Sequence, residues 1–177
     1  MHMKEKRKRF LLTSILIACT VFIVGCTSGS KEETLIKEFL TCWFEMSETN
    51  DDLYELMQGN ATVIGAGVET TPAEAAEQYA KNIKEINDAF NEVYGSYLTE
   101  EAMGEFASEQ FMISQSIFKE DDEWEVSEVT INKDSEDYKF EVQITVNGET
   151  EGSYLIHGRV EVKEGKISKI KGVNINY

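Results

Sequence analysis

Apolar residues recur three and four positions apart along the first two thirds of the chain, a spacing typical of helices that bury one face. Thr71, Pro72 and Glu74 form the clearest helix start, because threonine caps, proline fits the first turn and glutamate closes a capping box. Asn50 is predicted to cap a second helix, and Thr99, Glu100 and Glu101 are predicted to open a further one. The pattern predicts four amphipathic helices, at residues 31–46, 51–57, 72–94 and 99–110.

The connection between the second and third helices has a weaker pattern. Gly59 is predicted to end the second helix, and residues 61–64 are a candidate short strand. Gly65 and Gly67 match a phosphate-binding loop only in part, because neither its lysine nor a third glycine follows. The segment is therefore interpreted as a turn.

After Phe118 the apolar period changes to two, the period of strands with one buried face. The apolar phase shifts near Ser127 and Glu128, which predicts a bulge, and it shifts again near Lys169. Four strands are predicted, at residues 124–131, 138–146, 153–163 and 166–177. The predicted fold class is α+β, with N-terminal helices packed on a curved antiparallel sheet of about four strands.

The first 26 residues have the order of a secretion signal: a basic stretch, an apolar run of 16 residues from Phe10 to Gly25, and Cys26. This run is shorter than the roughly 20 residues that a helix needs to cross a bilayer. The tetrapeptide Ile23-Val24-Gly25-Cys26 resembles the lipobox of bacterial lipoproteins. That resemblance implies that Cys26 is diacylated and the chain is cut before it; an uncleaved signal anchor is the alternative. The implied division is a signal peptide at 1–25, a lipidated cysteine and short tether at 26–31, and a single α+β domain at 32–177.

Charge excludes one class of partner. Residues 1–25 hold five of the 17 Lys and Arg but only one of the 33 Asp and Glu, so the processed chain carries 12 cations against 32 carboxylates. A net charge near −20 is unsuited to nucleic acid, since binding there depends on a basic surface that releases counterions. Anionic lipid headgroups should also repel such a surface. The acidity otherwise serves solubility or a basic partner.

The order of elements is similar to that of the nuclear-transport-factor-2-like superfamily, also called cystatin-like or SnoaL-like. The segment 94–102 also resembles one in small Gram-positive lipoproteins with this fold. The resemblance implies a cone in which the sheet wraps around helices and encloses a pocket. Since the superfamily includes dehydratases, isomerases, ligand binders, conjugation-machinery domains and interaction modules, the fold alone does not supply a function.

Few side chains are candidates for a catalytic or ligand-binding role. His157, the one histidine after the signal, falls on the polar face of its strand and is interpreted as a surface residue. Tyr138 and Tyr154 fall on the apolar face, where they either line a pocket or fill the core. Cys42 is interpreted as a buried small hydrophobe, with a reactive thiol as the alternative.

Metal and cofactor sites are not predicted. The acidic run 120–123 lacks the ligand spacing and glycine of a calcium loop and is interpreted as solvated. Once Cys26 carries lipid, Cys42 is the remaining cysteine, which excludes an internal disulfide and a Cys/His metal cluster. No nucleophile elbow occurs, and no catalytic residue is assigned.

The sequence therefore predicts a lipid-anchored lipoprotein on the extracytoplasmic face of the cell membrane, acting as a noncatalytic binding or assembly module. Its expected partners are the membrane, through lipid on Cys26, and either a membrane protein or a second copy. The alternative is small-ligand binding or SnoaL-like catalysis in the cone pocket. A tether of about four residues keeps the domain within roughly 15–25 Å of the bilayer.

Overall fold

The computed structural model describes residues 30–62, 72–113, 122–148 and 151–176. Its helices are α1 (Lys31–Phe44), α2 (Glu48–Thr62), α3 (Pro72–Tyr94) and α4 (Glu100–Glu105), and α4 continues as a π-helical turn, Phe106–Gln110. Its strands are β1 (Glu123–Asp134), β2 (Asp137–Asn147), β3 (Gly152–Lys163) and β4 (Lys166–Asn176). The strands form one open antiparallel sheet in the order β1-β2-β3-β4, so the predicted α+β class is confirmed. The signal peptide and Cys26 lie outside the described residues.

Helix α1 begins with a capping box formed by Ser30 and Glu33. The sequence analysis had placed Ser30 in the tether. The Ser30 hydroxyl accepts a hydrogen bond from the Glu33 amide at 3.2 Å, and the Glu33 carboxylate accepts one from the Ser30 amide at 2.9 Å. These bonds satisfy two amides that a helix start leaves unpaired. The helix therefore begins at Lys31 as predicted, and it ends at Phe44, two residues early.

Helix α2 corrects two predictions. Ser47, and not Asn50, is at its start: the Ser47 hydroxyl accepts from the Asn50 amide at 3.2 Å. Gly59 does not end the helix, which continues to Thr62, so the first half of the candidate strand at 61–64 is helical. Residues 63 and 64 lie outside the described ranges. Asn50 is 2% exposed because its side chain points toward α1.

The C-terminal end of α1 is held by side chains from three other elements. The Asn50 Nδ2 donates to the carbonyls of Cys42 at 2.8 Å and Glu45 at 3.1 Å. The Tyr94 hydroxyl of α3 donates to Asn50 Oδ1 at 2.7 Å. Trp124 Nε1 of β1 donates to the Phe44 carbonyl at 2.9 Å. These bonds satisfy carbonyls that a helix end leaves unpaired, so they join α1 to α2, α3 and the sheet.

The N-terminal end of α1 is tied to the opposite end of β1. The Tyr138 hydroxyl of β2 donates to the Glu32 carboxylate, and Lys133 Nζ lies 3.8 Å from the same carboxylate. Since Phe44 meets Trp124 and Glu32 meets Lys133, α1 runs antiparallel to β1 across the sheet's inner face.

The core lies between the helices and this inner face. Rings from α1, α3 and the α4 region pack mainly edge to face, as aromatic quadrupoles favour: Phe39, Trp43, Phe90, Tyr94, Phe106 and Phe111. The sheet adds a buried layer of side chains from β2 and β3: Tyr138, Phe140, Val142, Ile144, Tyr154, Ile156 and Val160. One continuous cluster results, as expected for a single core.

Helix α3 departs from its predicted pattern of burial. Phe90 and Tyr94 are fully buried, but Tyr79 is 52% exposed and Ile83 is 39% exposed. All described side chains from 76 to 81 are exposed as well. The periodicity predicted the helix, but only its C-terminal half packs against the described core.

The strand register contains three irregularities, two of which were predicted. Ser127 is the extra residue between the pairs Val126–Ile144 and Glu128–Gln143, which confirms the predicted bulge. A second lies at Ser168, next to the predicted phase change. The third, at Gly172 of β4 with φ +58°, was not predicted. Each bends the sheet, and the irregularity at Ser168 brings Lys171 opposite Arg159.

We expect Asn50→Ala to lower the free energy of unfolding by about 2–4 kcal/mol, because it leaves partly buried carbonyls and the Tyr94 hydroxyl without this partner. Urea titration measures the loss. Asn132→Ala, on the exposed sheet face, is the control and should change stability by less than about 0.5 kcal/mol. Combining Asn50→Ala with Tyr94→Phe should cost less than the sum, since both delete the same bond. If Asn50→Ala lowered the free energy of unfolding no more than the control does, these hydrogen bonds would not hold the end of α1.

Candidate functional site

The outer face of the sheet carries two neighbouring rows of opposite charge. Strand register aligns the carboxylates of Asp134, Asp137 and Glu161, which we call the acidic row. Two residues further along the strands, register aligns the cations of Lys139, Arg159 and Lys171, which we call the basic row. The two rows are about 7 Å apart along the strands, within reach of long side chains.

Ion pairs connect the two rows into a ladder. Asp134 Oδ2 lies 2.9 Å from Lys139 Nζ and 2.8 Å from an Arg159 terminal nitrogen. Asp137 Oδ2 lies 3.8 Å from both Arg159 Nη1 and Lys171 Nζ, and Lys171 also pairs with Glu161. Every cation of the basic row therefore contacts a carboxylate of the acidic row.

The ladder shifts the titration of its members in the direction that pairing requires. The hydrogen bond from Lys139 lowers the pKa of Asp134, and Arg159 adds to the effect. The hydrogen bond from Lys171 lowers the pKa of Glu161, and the same contact raises the pKa of Lys171. Both carboxylates are thus held in their charged form.

A cavity of about 320 Å³, the outer groove, lies beside the basic row. Its charged and polar lining comes from all four strands: Asn132, Lys139, Glu141, His157, Arg159 and Lys171. Gly158 and Gly172 line it with backbone alone. A Cβ on Gly158 would lie 2.6 Å from Phe140 Cζ. Any other residue at this position of β3 would therefore clash with the buried Phe140 ring. The groove offers several donors and one carboxylate, which suits a polar, charged surface of a partner.

His157 lies on the outer face, as its position in the sequence predicted. Its Nδ1 is 3.4 Å from Asn176 Nδ2, and its cross-strand neighbour is Glu141. The sequence analysis assigned His157 to the polar face but did not bring Lys139, Arg159 and Lys171 together beside it.

Tyr138 and Tyr154, the predicted pocket residues, are both in the core. Tyr138 is 2% exposed and Tyr154 is 8% exposed, and neither lines the outer groove. The Tyr138 hydroxyl donates to Glu32, and its ring lies 5.1 Å from Lys133 Nζ. A binding role for the two tyrosines stays a prediction.

A second cavity, of about 350 Å³, lies where α1 passes the bulge of β1. Lys37 and Thr41 line it from the helix, and residues 126–129 line it from the strand. The extra residue at Ser127 displaces β1 locally, so this cavity follows from the bulge.

Cys42 is half buried against the core beside the Tyr94 hydroxyl. Burial raises the pKa of Tyr94, and the Cys42 thiol adds to that shift. Of the acidic run 120–123, residues 120 and 121 lie outside the described ranges, Asp122 is buried and Glu123 is exposed. Within the described ranges, no three His, Cys, Asp or Glu side chains are placed to hold a metal ion.

Comparison with solved structures gives a distant structural likeness. No protein-family model matches the chain, and no curated protein matches it. The solution structure of TraH, assigned as a transfer protein of the Gram-positive conjugative plasmid pIP501, aligns at 14% identity with a TM-score of 0.43. The alignment covers 85% of this chain and 96% of TraH. Among the helices of the described ranges, none is both long and apolar enough to cross a membrane.

Acid should weaken the ladder. Because the folded pKa values of Asp134 and Glu161 are lowered, both carboxylates add stability above their unfolded values of roughly 4. This contribution is lost as the pH falls through the folded values. We expect the free energy of unfolding, measured by urea titration, to fall between about pH 5 and pH 2. Glu161→Gln should flatten that fall, whereas Glu136→Gln, in an exposed turn outside the ladder, should leave it unchanged. Equal slopes for the two variants would argue against the ladder.

Proposed function

We propose that this protein is a lipoprotein on the extracytoplasmic face of the cell membrane, anchored by lipid on Cys26, whose domain is a noncatalytic binding or assembly module. The partner is a membrane protein that docks on the outer groove. This proposal combines the lipobox-like tetrapeptide 23–26 with the surface chemistry of the sheet.

The filled interior is the observation that carries the proposal. A ligand-binding cone needs open space between helices and sheet, yet the side chains that face this space in the described ranges are buried aromatic and aliphatic groups. The two cavities described above open elsewhere, at the outer groove and at the β1 bulge. Binding by the outer surface therefore fits the packing better than binding inside the cone.

The start of α1 supports a short tether. The capping box ties Ser30 to the domain, and four peptide units separate Ser30 from Cys26 in the sequence. At no more than about 3.6 Å per residue, this spacing holds Ser30 within roughly 15 Å of a lipid-bearing cysteine. The outer groove lies toward the same end of the sheet as Ser30, so a membrane-embedded partner can reach it.

The alternative is a nuclear-transport-factor-2-like domain that binds a small ligand or acts as an enzyme. In that case a ligand or substrate occupies the cone, and Tyr138 and Tyr154 present their hydroxyls to it. The bond from Tyr138 to Glu32 favours the first proposal, because it commits one of these hydroxyls to holding α1 on the sheet.

Cys26→Ala should release the protein from the membrane or leave it unprocessed. Lipid attachment requires the thiol, so fractionation followed by immunoblotting should move most of the protein out of the membrane fraction. Cys42→Ala is the matched control and should remain in the membrane. An unchanged membrane fraction for Cys26→Ala, with the signal still attached, would instead support a signal anchor.

Reversing the charge of Glu141 should prevent docking. In native membranes treated with a cross-linker, we expect the tagged wild type to form an adduct with a membrane protein, and Glu141→Lys to reduce its yield about tenfold. Glu125→Lys makes the same charge change at an exposed site on β1 outside the groove and should leave the yield unchanged. An equal effect of both variants, or the lack of any adduct, would contradict docking at the groove.

A further inference from the structure

The two edges of the sheet differ in what their backbones bond. At the β4 edge, the Ile167 amide donates to the Tyr97 carbonyl at 2.8 Å, and the Ile167 carbonyl accepts from the Thr99 amide at 2.9 Å. At the β1 edge, the backbone from Glu125 to Asp134 pairs with β2 alone within the described ranges. Every second residue of an edge strand turns its amide and carbonyl away from its neighbour, so β1 can accept a further strand.

A cavity lies between this free edge and α1. It is the cavity of about 350 Å³ that Lys37 and Thr41 line from α1 and residues 126–129 line from β1. Its lining contains no residue of β2, so it opens on the side of β1 that faces away from the sheet. We call the free edge of β1 together with this cavity the edge groove. A strand laid along β1 would turn alternate side chains toward α1 and the others onto the outer face of the sheet.

Charge along the edge groove is mostly negative. Between its Phe44 end and the β1 bulge, the exposed charged side chains of α1 and β1 are one lysine, Lys37, and five carboxylates: Glu38, Glu45, Glu123, Glu125 and Glu128. The three on β1 point to the outer face, and their cross-strand neighbours on β2 are uncharged: Asn147, Thr145 and Gln143. These three carboxylates therefore lie beside the position of an added strand without a cation opposite them in the sheet.

We propose that the edge groove binds an extended basic segment of a protein partner, which adds to the sheet as a strand beside β1. Backbone hydrogen bonds to β1 hold the segment, as in other complexes in which a peptide extends a sheet. Its outward lysine or arginine side chains pair with Glu123, Glu125 and Glu128, and an inward side chain enters the cavity beside Lys37 and Thr41. The edge groove shares no lining residue with the outer groove, and its use does not depend on a lipid anchor.

The charge pattern disfavours a second copy of this chain as the occupant. Two β1 strands side by side would place two sets of carboxylates on one face of the same ladder, where like charges repel. If the sheet instead continued from β1 of one copy to β4 of the next, antiparallel alternation would set the carboxylate half of β1 beside the C-terminal half of β4. That half contains Asn174 and Asn176, whereas the lysines of β4 lie in its other half. A basic segment pairs the carboxylates, and these two arrangements do not.

Peptide binding tests the proposal. The probe is a fluorescein-labelled heptapeptide that alternates lysine and valine, and the protein is the full chain purified in nonionic detergent. At about 0.1 M salt we expect saturable binding by fluorescence anisotropy. A peptide of the same charge, with proline in place of the first and third valines, should bind at least about tenfold more weakly, because proline lacks the amide that a ladder needs. Equal affinities would overturn the proposal, since charge alone would then explain binding.

Charge reversal tests whether β1 is the site. The variant Glu123→Lys, Glu128→Lys should weaken binding at least about tenfold, because two cross-strand attractions become repulsions. The variant Glu77→Lys, Glu85→Lys makes the same charge change at exposed positions of α3 and should weaken binding less than about threefold. Circular dichroism checks that both variants fold. Equal weakening by the two variants would overturn the proposal, because the peptide would then respond only to net charge.

Hydrogen exchange of the wild type locates the peptide without any variant. Bound peptide should slow the exchange of amides in residues 125–134 at least about threefold and leave residues 168–176 of β4 unchanged. Slowing in β4 or α2 without slowing in β1 would overturn the proposal. Exchange in β1 that slows with rising protein concentration and no peptide would assign the edge to a second copy. These readouts depend neither on lipid at Cys26 nor on the outer groove, so the function proposed above can fail while this inference holds, and the reverse.

Discussion

The fold depends on how the two ends of α1 are satisfied. A helix leaves carbonyls unpaired at its C-terminus, and burial makes unpaired carbonyls costly. Here Asn50, itself held by Tyr94, and Trp124 supply the missing donors. Because Asn50, Tyr94 and Trp124 come from α2, α3 and β1, satisfying one helix end also fixes the relative positions of the three elements. At the other end, Glu32 joins α1 to β1 and β2 through Lys133 and Tyr138.

Once α1 is fixed along the inner face, its aromatic side chains fill the space that a cone-shaped domain would otherwise leave open. Phe39 and Trp43 contact Phe106, and Phe39 also contacts Tyr94, so rings from three helices close the interior. Because the interior is filled with apolar rings, the charged side chains of the strands lie on the outer face of the sheet. Charged side chains alternate with core residues along every strand, and the antiparallel register sorts them into rows on the outer face. Packing inside and charge outside are thus two consequences of one strand periodicity.

The sequence predicted the helices, the strands and two of the three register irregularities because each depends on local periodicity. It did not predict the role of Asn50, whose partner Tyr94 is 44 residues away and whose position near a helix start suggested a local cap. It missed the basic row for a related reason. Lys171 lies opposite Arg159 because β4 pairs with β3 and the irregularity at Ser168 shifts their register, and a shift of one residue reverses the face of every following side chain. The periodicity of α3 predicted an apolar stripe through Tyr79 and Ile83 but contained no information about what covers it.

The net charge of −16 is a sum over the whole sequence, and the structure shows that these charges are unevenly distributed. In the ladder, three carboxylates and three cations pair on the outer face of the sheet. By contrast, residues 45–62 and 122–128 contain several carboxylates and no Lys or Arg. An ion pair contributes little field at a distance, because each charge cancels most of the field of the other. The field around the domain is thus determined mainly by the places where carboxylates outnumber cations, and these places follow from strand register and helix packing, which composition does not contain.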